Sequence, residues 1–143
     1  MKVYIAAPFF NDEQLERVER VKRLLSTLNV KFFSPKDESI FKQGDDPSII
    51  LNTNCDAICA SDFIIAITDD KDVGTMWECG YAYGLKVPIL YLWLGWTPDK
   101  KFNIMLAASG SVVHTYEELA VAVQNFKMFN NFNVTTNGEM LHE

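Results

Sequence analysis

The amino-acid sequence predicts an α/β domain, an open and mostly parallel sheet of about five strands with helices on both faces. Three observations carry that expectation. Short runs rich in Val, Ile, Phe and Tyr alternate along the chain with longer stretches of helical period. One of them, FIIAIT at 63–68, is apolar almost without a break, as suits a strand covered on both faces. The charged segments that carry Gly or Pro follow such runs, where a sheet of this kind keeps its ligand-binding loops.

Taken in order, Val3 to Ala7 reads as a buried strand ended by Pro8. Asn11 or Asp12 can cap the helix that follows, because a short side-chain acceptor satisfies its free backbone N–H groups. Leu15, Val18, Val21, Leu24, Leu25 and Leu28 recur at three- and four-residue spacing with charges between them, the pattern of a helix buried on one side. Val30 to Phe33 reads as a second strand closed by Ser34-Pro35, and residues 36–47 as a loop over the binding face. A helix is expected over Ile49 to Ala60, the central strand over Phe63 to Thr68, and a polar loop over Asp69 to Gly74. There follow a helix from about Met76 to Leu85, a strand from Val87 to Leu94 and a turn from Gly95 to Lys101. A short helix over 103–109, a strand from Ser111 to His114 and a helix from Tyr116 to Phe129 complete the series. The chain is expected to form a single domain over 1–143, its Asn-rich tail 130–143 loose unless a neighbouring subunit holds it.

Charge and composition narrow the function. A formal net charge of −6 with no Lys/Arg cluster argues against a nucleic-acid polymer as partner, though not against a single nucleoside. Three cysteines, Cys55, Cys59 and Cys79, are an odd set that suits reduced thiols in a cytoplasmic setting. Only His114 and His142 could join Cys55 and Cys59 as soft ligands, so no metal site is expected, and no cofactor. No apolar run reaches the ~18 residues that span a bilayer, so no membrane partner is expected.

The densest chemistry lies in DDKDVGTMWECGYA at 69–82, directly after the most buried-looking strand. A carboxylate at that rim can attack an anomeric carbon, and a second can bind sugar hydroxyls or manage a proton. Glu78 is the candidate nucleophile. Its plain structural alternative is a capping box, since Thr75 and Glu78 have the T-x-x-E spacing that satisfies N–H groups at a helix start. Asp69, Asp70 and Asp72 have their own plain alternative as solvated loop charges. The glycines at 74, 80 and 84 match neither a dinucleotide fingerprint nor a phosphate loop. A phenol at Tyr4 can hold a carboxylate, and Phe9 and Phe10 can stack a flat base or bury a helix end. His114 reads as a satisfied core or rim histidine.

Five pieces then recur in order: VYIAAPFF at 3–10, SPKDE at 34–38, NTNCDAICASD at 52–62, DVGTMWECGYAYG at 72–84 and KFNIM at 101–105. Together they resemble the nucleoside 2-deoxyribosyltransferases over most of the chain. The resemblance implies a flavodoxin-like fold and a retaining, ping-pong transfer of 2-deoxyribose between bases. On that pattern Glu78 attacks C1′ and carries the sugar as an ester, Tyr4 orients Glu78, and Asp72 binds the deoxyribose hydroxyl or assists at the base. Phe10 flanks sugar and base, and Gly74 belongs to the same binding segment. Asn103 reaches the sugar's 5′ end in a neighbouring subunit's site and Met105 lines that pocket, which implies a homo-oligomer with shared sites. The partners implied are 2′-deoxynucleosides and free purine or pyrimidine bases.

The chain departs from the family pattern at three places. Asn54 stands where members often have Asp, so either Asp56, two residues on, substitutes for it or base preference changes. The 36–47 loop offers Glu38 and Ser39 in place of an Asn-Gln pair. Members often end in an aromatic residue, whereas this chain ends Met140-Leu141-His142-Glu143. Two rival readings use the same residues: an N-glycosidase of 2′-deoxynucleoside 5′-monophosphates, and a non-catalytic nucleotide-sensing module. Asn103, where such glycosidases place a small hydroxyl residue to hold phosphate, favours unphosphorylated nucleosides.

Overall fold

A computed structural model describes residues 1–134, and the chain end Met140 to Glu143 lies outside the described residues. Five parallel strands, β1 (Lys2–Ala6), β2 (Lys31–Phe33), β3 (Phe63–Ile67), β4 (Ile89–Leu92) and β5 (Ser111–Val113), pair in the order β2-β1-β3-β4-β5. The helices are α1 (Asp12–Thr27), α2 (Pro35–Glu38), α3 (Pro47–Cys59), α4 (Val73–Gly84), α5 (Ile104–Ser109) and α6 (Tyr116–Phe129). This is the flavodoxin-like strand order, with its reversal between β1 and β3, as expected.

Alternation along the strands builds two cores. Val3, Ile5, Phe63, Ile65, Leu90 and Leu92 face α1 and α6, where Val18, Val21, Leu25, Leu119 and Val123 are buried. Tyr4, Ala6, Ile64, Ala66, Ile89 and Tyr91 face α3, α4 and α5, meeting Ala57, Ile58, Cys79, Ala82 and Ala107. A side-chain period of two therefore decides which helices each strand residue can touch. The register sets Tyr4 opposite Phe33 on β2 and Ile64 on β3.

Local signals explain where the boundaries move from those expected. α3 begins at Pro47, not Ile49: proline serves as the first helical residue, and Asp46 caps by accepting from the Ser48 N–H at 2.9 Å. Segment 36–47 is not all loop, because Ser34-Pro35 opens the single turn of α2. α4 begins at Val73, three residues before Met76, because Asp72 is its cap. Directly after α6, Asn130 adopts the left-handed conformation that ends a helix. Phe132 then turns back into the core against Phe63 and Phe126, with ring centroids 5.0 and 4.9 Å away. The first residues of the expected loose tail are thus held, and residues 135–143 lie outside the described residues.

Candidate active site

β1 is paired on both sides, which fixes Tyr4 in mid-strand rather than at the sheet's rim. Its ring is fully buried and stacks on Phe33 at 5.4 Å, and its hydroxyl donates a hydrogen bond to Glu78 Oε2 on α4. Burial, together with the charge and hydrogen bond of Glu78, pushes the phenol's pKa far up. It therefore stays protonated and keeps its proton to donate to Glu78.

Glu78 is half-buried, and its carboxyl pKa is raised to about 7. Burial is the main cause, the charge of Asp72 adds to it, and the Tyr4 hydrogen bond opposes both. The capping-box alternative is overturned. Asp72, not Thr75, caps α4: its Oδ2 accepts from the Thr75 N–H at 2.9 Å and the Thr75 hydroxyl at 3.0 Å. Glu78 consequently lies beyond the first turn of α4, past the free N–H groups that the helix dipole concentrates there. Desolvation outweighs any help from the helix end. Gly74 leaves Asp72 room, since a Cβ on it would stand 3.3 Å from Asp72 Oδ2.

Glu78 opens onto a cavity of about 330 Å³, lined also by Phe41, Pro47, Ile50, Leu51, Asn54, Gly74 and Trp77. Trp77 is half exposed and stacks in parallel on Tyr81 at 5.5 Å. Asn54 accepts a 2.5 Å hydrogen bond from the Ser39 hydroxyl. A flat apolar slot beside a carboxylate of near-neutral pKa suits a planar ring joined to an electrophilic carbon.

Tyr4, Asp72, Gly74, Asn54 and Glu78 thus converge. Of these, Asn54, Gly74 and Glu78 line the slot, while Tyr4 reaches Glu78 through its hydroxyl and Asp72 through its charge; the other expected site residues lie elsewhere. Phe10 is 72% exposed and packs on Phe9, and Asp56 faces solvent on α3. Asn103 caps α5, its Oδ1 accepting from the N–H groups of Met105 (2.9 Å) and Leu106 (3.2 Å). It lines a separate cavity of about 700 Å³ with Lys71, Trp93, Lys100, Lys101 and Phe102. Met105 is 74% exposed and borders an apolar groove with Gly80 and Tyr83.

Ser39 stands in the loop position expected near the base, whereas Phe41, Ile50, Leu51 and Trp77 were not anticipated as site residues. The Asp46-Pro47 cap signature could have found some of them, because a helix starting there puts Ile50 and Asn54 four apart on one face. His114 is held as expected, its N–H on Glu118 Oε2 at 2.7 Å and its ring stacked on Trp96. The three cysteines are free thiols. Among the described residues no group of His, Cys, Asp and Glu is placed to hold a metal, and no helix is long and apolar enough to cross a membrane.

Comparison with solved structures shows the same architecture in glycosyl-transferring enzymes. A 2-deoxyribosyltransferase from Bacillus psychrosaccharolyticus is 26% identical over 84% of this chain and 90% of its own, with a TM-score of 0.74. The 2-deoxyribosyltransferase of Leishmania mexicana is 24% identical over 90% of this chain and 97% of its own (TM-score 0.64), a likeness of fold. The fold also recurs in a Clostridium botulinum CMP N-glycosidase, 19% identical over 80% of this chain and 88% of its own (TM-score 0.57). No curated protein sequence matches. Residues 3–132 match the family model for nucleoside 2-deoxyribosyltransferases, and the chain belongs to that family of glycosyl-transferring enzymes.

Proposed function

We propose that this enzyme moves 2-deoxyribose between nucleobases by two successive displacements at C1′, with Glu78 as the nucleophile. The observation that carries the reading is the Glu78 carboxylate, aimed by a buried phenol and set at the wall of an apolar slot. Tyr4 fixes the carboxylate's orientation. The ionised form attacks C1′, the base departs, and a nitrogen of a second base then displaces the ester from the face the first base left, opposite the ester. Two inversions return the starting anomeric configuration. Asp72 is assigned to the deoxyribose hydroxyl through Oδ1, because Oδ2 is engaged by Thr75.

Asn103 and Met105 belong, on this reading, to a neighbouring subunit's site. Within one chain Glu78 and Asn103 line different cavities, which supports a homo-oligomer that brings such residues together. A second reading, hydrolysis of a 2′-deoxynucleoside 5′-monophosphate, draws on one observation. Lys71, Lys100 and Lys101 line the larger cavity with Asn103, against the carboxylate of Asp69, a net cationic lining suited to phosphate.

Incubation with thymidine and adenine tests the proposal. Formation of deoxyadenosine, lost in Glu78→Ala, supports transfer. Release of thymine alone, faster from thymidine 5′-monophosphate, would replace transfer with hydrolysis. Capture of a slow sugar analogue on a residue other than Glu78 would overturn the mechanism.

A further inference from the structure

We propose that Asn54, oriented by Ser39, donates a hydrogen bond to the departing base, which leaves as a stabilised anion instead of being protonated by the enzyme. The inference rests on the transfer reading and concerns the other half of the same displacement, the fate of the base.

Three observations lead to it. Among the described residues lining the slot, Glu78 and Asn54 carry the only polar side-chain groups apart from the indole N–H of Trp77. Glu78 is committed to the sugar, and neither an amide nor an indole gives up a proton at neutral pH. Of the other acids, Asp72 does not line the slot and spends Oδ2 on the α4 cap, and Asp56 is exposed on α3 and does not line the slot either. Finally, the Ser39 hydroxyl donates to Asn54 Oδ1 at 2.5 Å. With its carbonyl held by Ser39, the amide keeps its NH₂ group for a ligand, a donor with no proton to transfer.

The charge balance fits this assignment. As a Glu78 oxygen bonds to C1′, the electron pair of the C1′–N bond passes to the base. The negative charge that began on the carboxylate ends on the base, shared with the ring acceptor beside the glycosidic nitrogen, O2 of a pyrimidine or N3 of a purine. An amide N–H directed at that acceptor stabilises the charge as it develops. The released base takes its proton from water. In the return step an incoming base loses its N–H proton to water, its nitrogen attacks C1′, and the ester's electron pair returns to Glu78.

A neutral residue at 54 also protects the nucleophile. Burial and the charge of Asp72 already raise the Glu78 pKa to about 7. A carboxylate at position 54, inside the slot with Glu78, would raise it further and deplete the reactive form at neutral pH.

Single-turnover base release from thymidine and from 5-fluoro-2′-deoxyuridine, whose base is the more acidic, tests the inference. A base that leaves without protonation makes the rate depend steeply on its acidity, so release from the fluorinated nucleoside is expected about tenfold faster or more. N54D, assayed below neutrality where the new carboxyl can give a proton, narrows that ratio. S39A lowers the release rate roughly tenfold at unchanged KM, and S39T restores it, as expected of a positioning residue. Equal release rates for the two nucleosides in the wild type overturn the inference and leave the transfer reading standing. Release from neither overturns both. S39A at wild-type rate removes the part given to Ser39.

Discussion

Tyr4 and Glu78, seventy-four residues apart, meet because β1 and α4 pack on the same face of the sheet. The phenol comes from the innermost layer and the carboxylate from the covering helix, so the hydrogen bond ties the proposed nucleophile to the buried sheet. Neither partner can move without disturbing a fully buried ring stacked on Phe33. The carboxylate is thereby held in one orientation before any substrate arrives.

Tyr4→Phe keeps that stack and removes only the hydroxyl, so the fold should persist. Losing a hydrogen bond to a charged group costs about 1.5–3 kcal/mol, equivalent to roughly a tenfold to hundredfold fall in turnover. The hydrogen bond also lowers the Glu78 pKa, against burial and Asp72. Its loss raises that pKa, and the acid limb of the kcat/KM profile moves from near 7 to higher pH. The defect is therefore largest in acid and shrinks in base. A limb that stays in place or moves down would show that the phenol does not control Glu78.

Asp72→Asn gives the opposite displacement. Asparagine caps a helix about as well as aspartate, so α4 keeps its start, while the negative charge that raises the Glu78 pKa is gone. The acid limb moves to lower pH even as turnover falls through loss of the proposed sugar contact. Asp72→Ala also loses the cap, and about 1 kcal/mol of stability with it. Urea denaturation of the two variants separates these effects.

Most of this arrangement was legible in the chain before any coordinates. Unbroken apolar runs such as Phe63 to Ile67 mark buried parallel strands, and the period of α1 follows from Leu15 to Leu28 because one helix face has only one core to meet. The acidic segment after β3 fell where strand ends gather loops. Two things escaped for physical reasons. Thr75 and Glu78 carry a capping-box spacing, yet Asp72 to Thr75 is also a cap spacing, and only the packed helix decides between the two start points. The slot wall of Phe41, Ile50, Leu51 and Trp77 combines an aperiodic loop with turns of two helices, a meeting of distant segments that no local pattern records.

Glu78→Gln should stabilise the fold while abolishing transfer. The folded-state pKa of about 7 stands above the ordinary 4.5, so the folded protein holds this proton more tightly than the unfolded chain does. The resulting stability is fully present below 4.5 and is lost as pH rises through about 7. Glutamine never ionises and keeps an acceptor for the Tyr4 hydroxyl. From pH 5 to pH 8 the variant's advantage over wild type should grow by roughly 1–3 kcal/mol, at 1.36 kcal/mol per unit discounted for partial exposure. Urea midpoints at the two pH values measure it, and an advantage that shrinks with pH contradicts the assigned cause.

The sharing of sites between subunits has the most decisive test, because two inactive variants can repair one another only if it is real. Asn103 lines a cavity that shares no residue with the Glu78 slot, and its Oδ1 is spent on the α5 cap, which leaves its Nδ2 group for a ligand. If the Glu78 of one subunit works with the Asn103 of the next, a dimer of Glu78→Ala and Asn103→Ala chains has one site with both changes and one with neither. Random pairing then restores roughly a quarter of wild-type activity from two variants that have almost none alone. If both residues serve the same chain's site, every site in every mixture carries one defect and no activity returns. Co-expression with two affinity tags isolates the mixed species, so its assay reports on geometry and not on failure to exchange. The substitution at 103 also removes a helix cap worth about 1 kcal/mol, so Asn103→Asp, which retains the acceptor but not the donor, should serve as a second complementing partner.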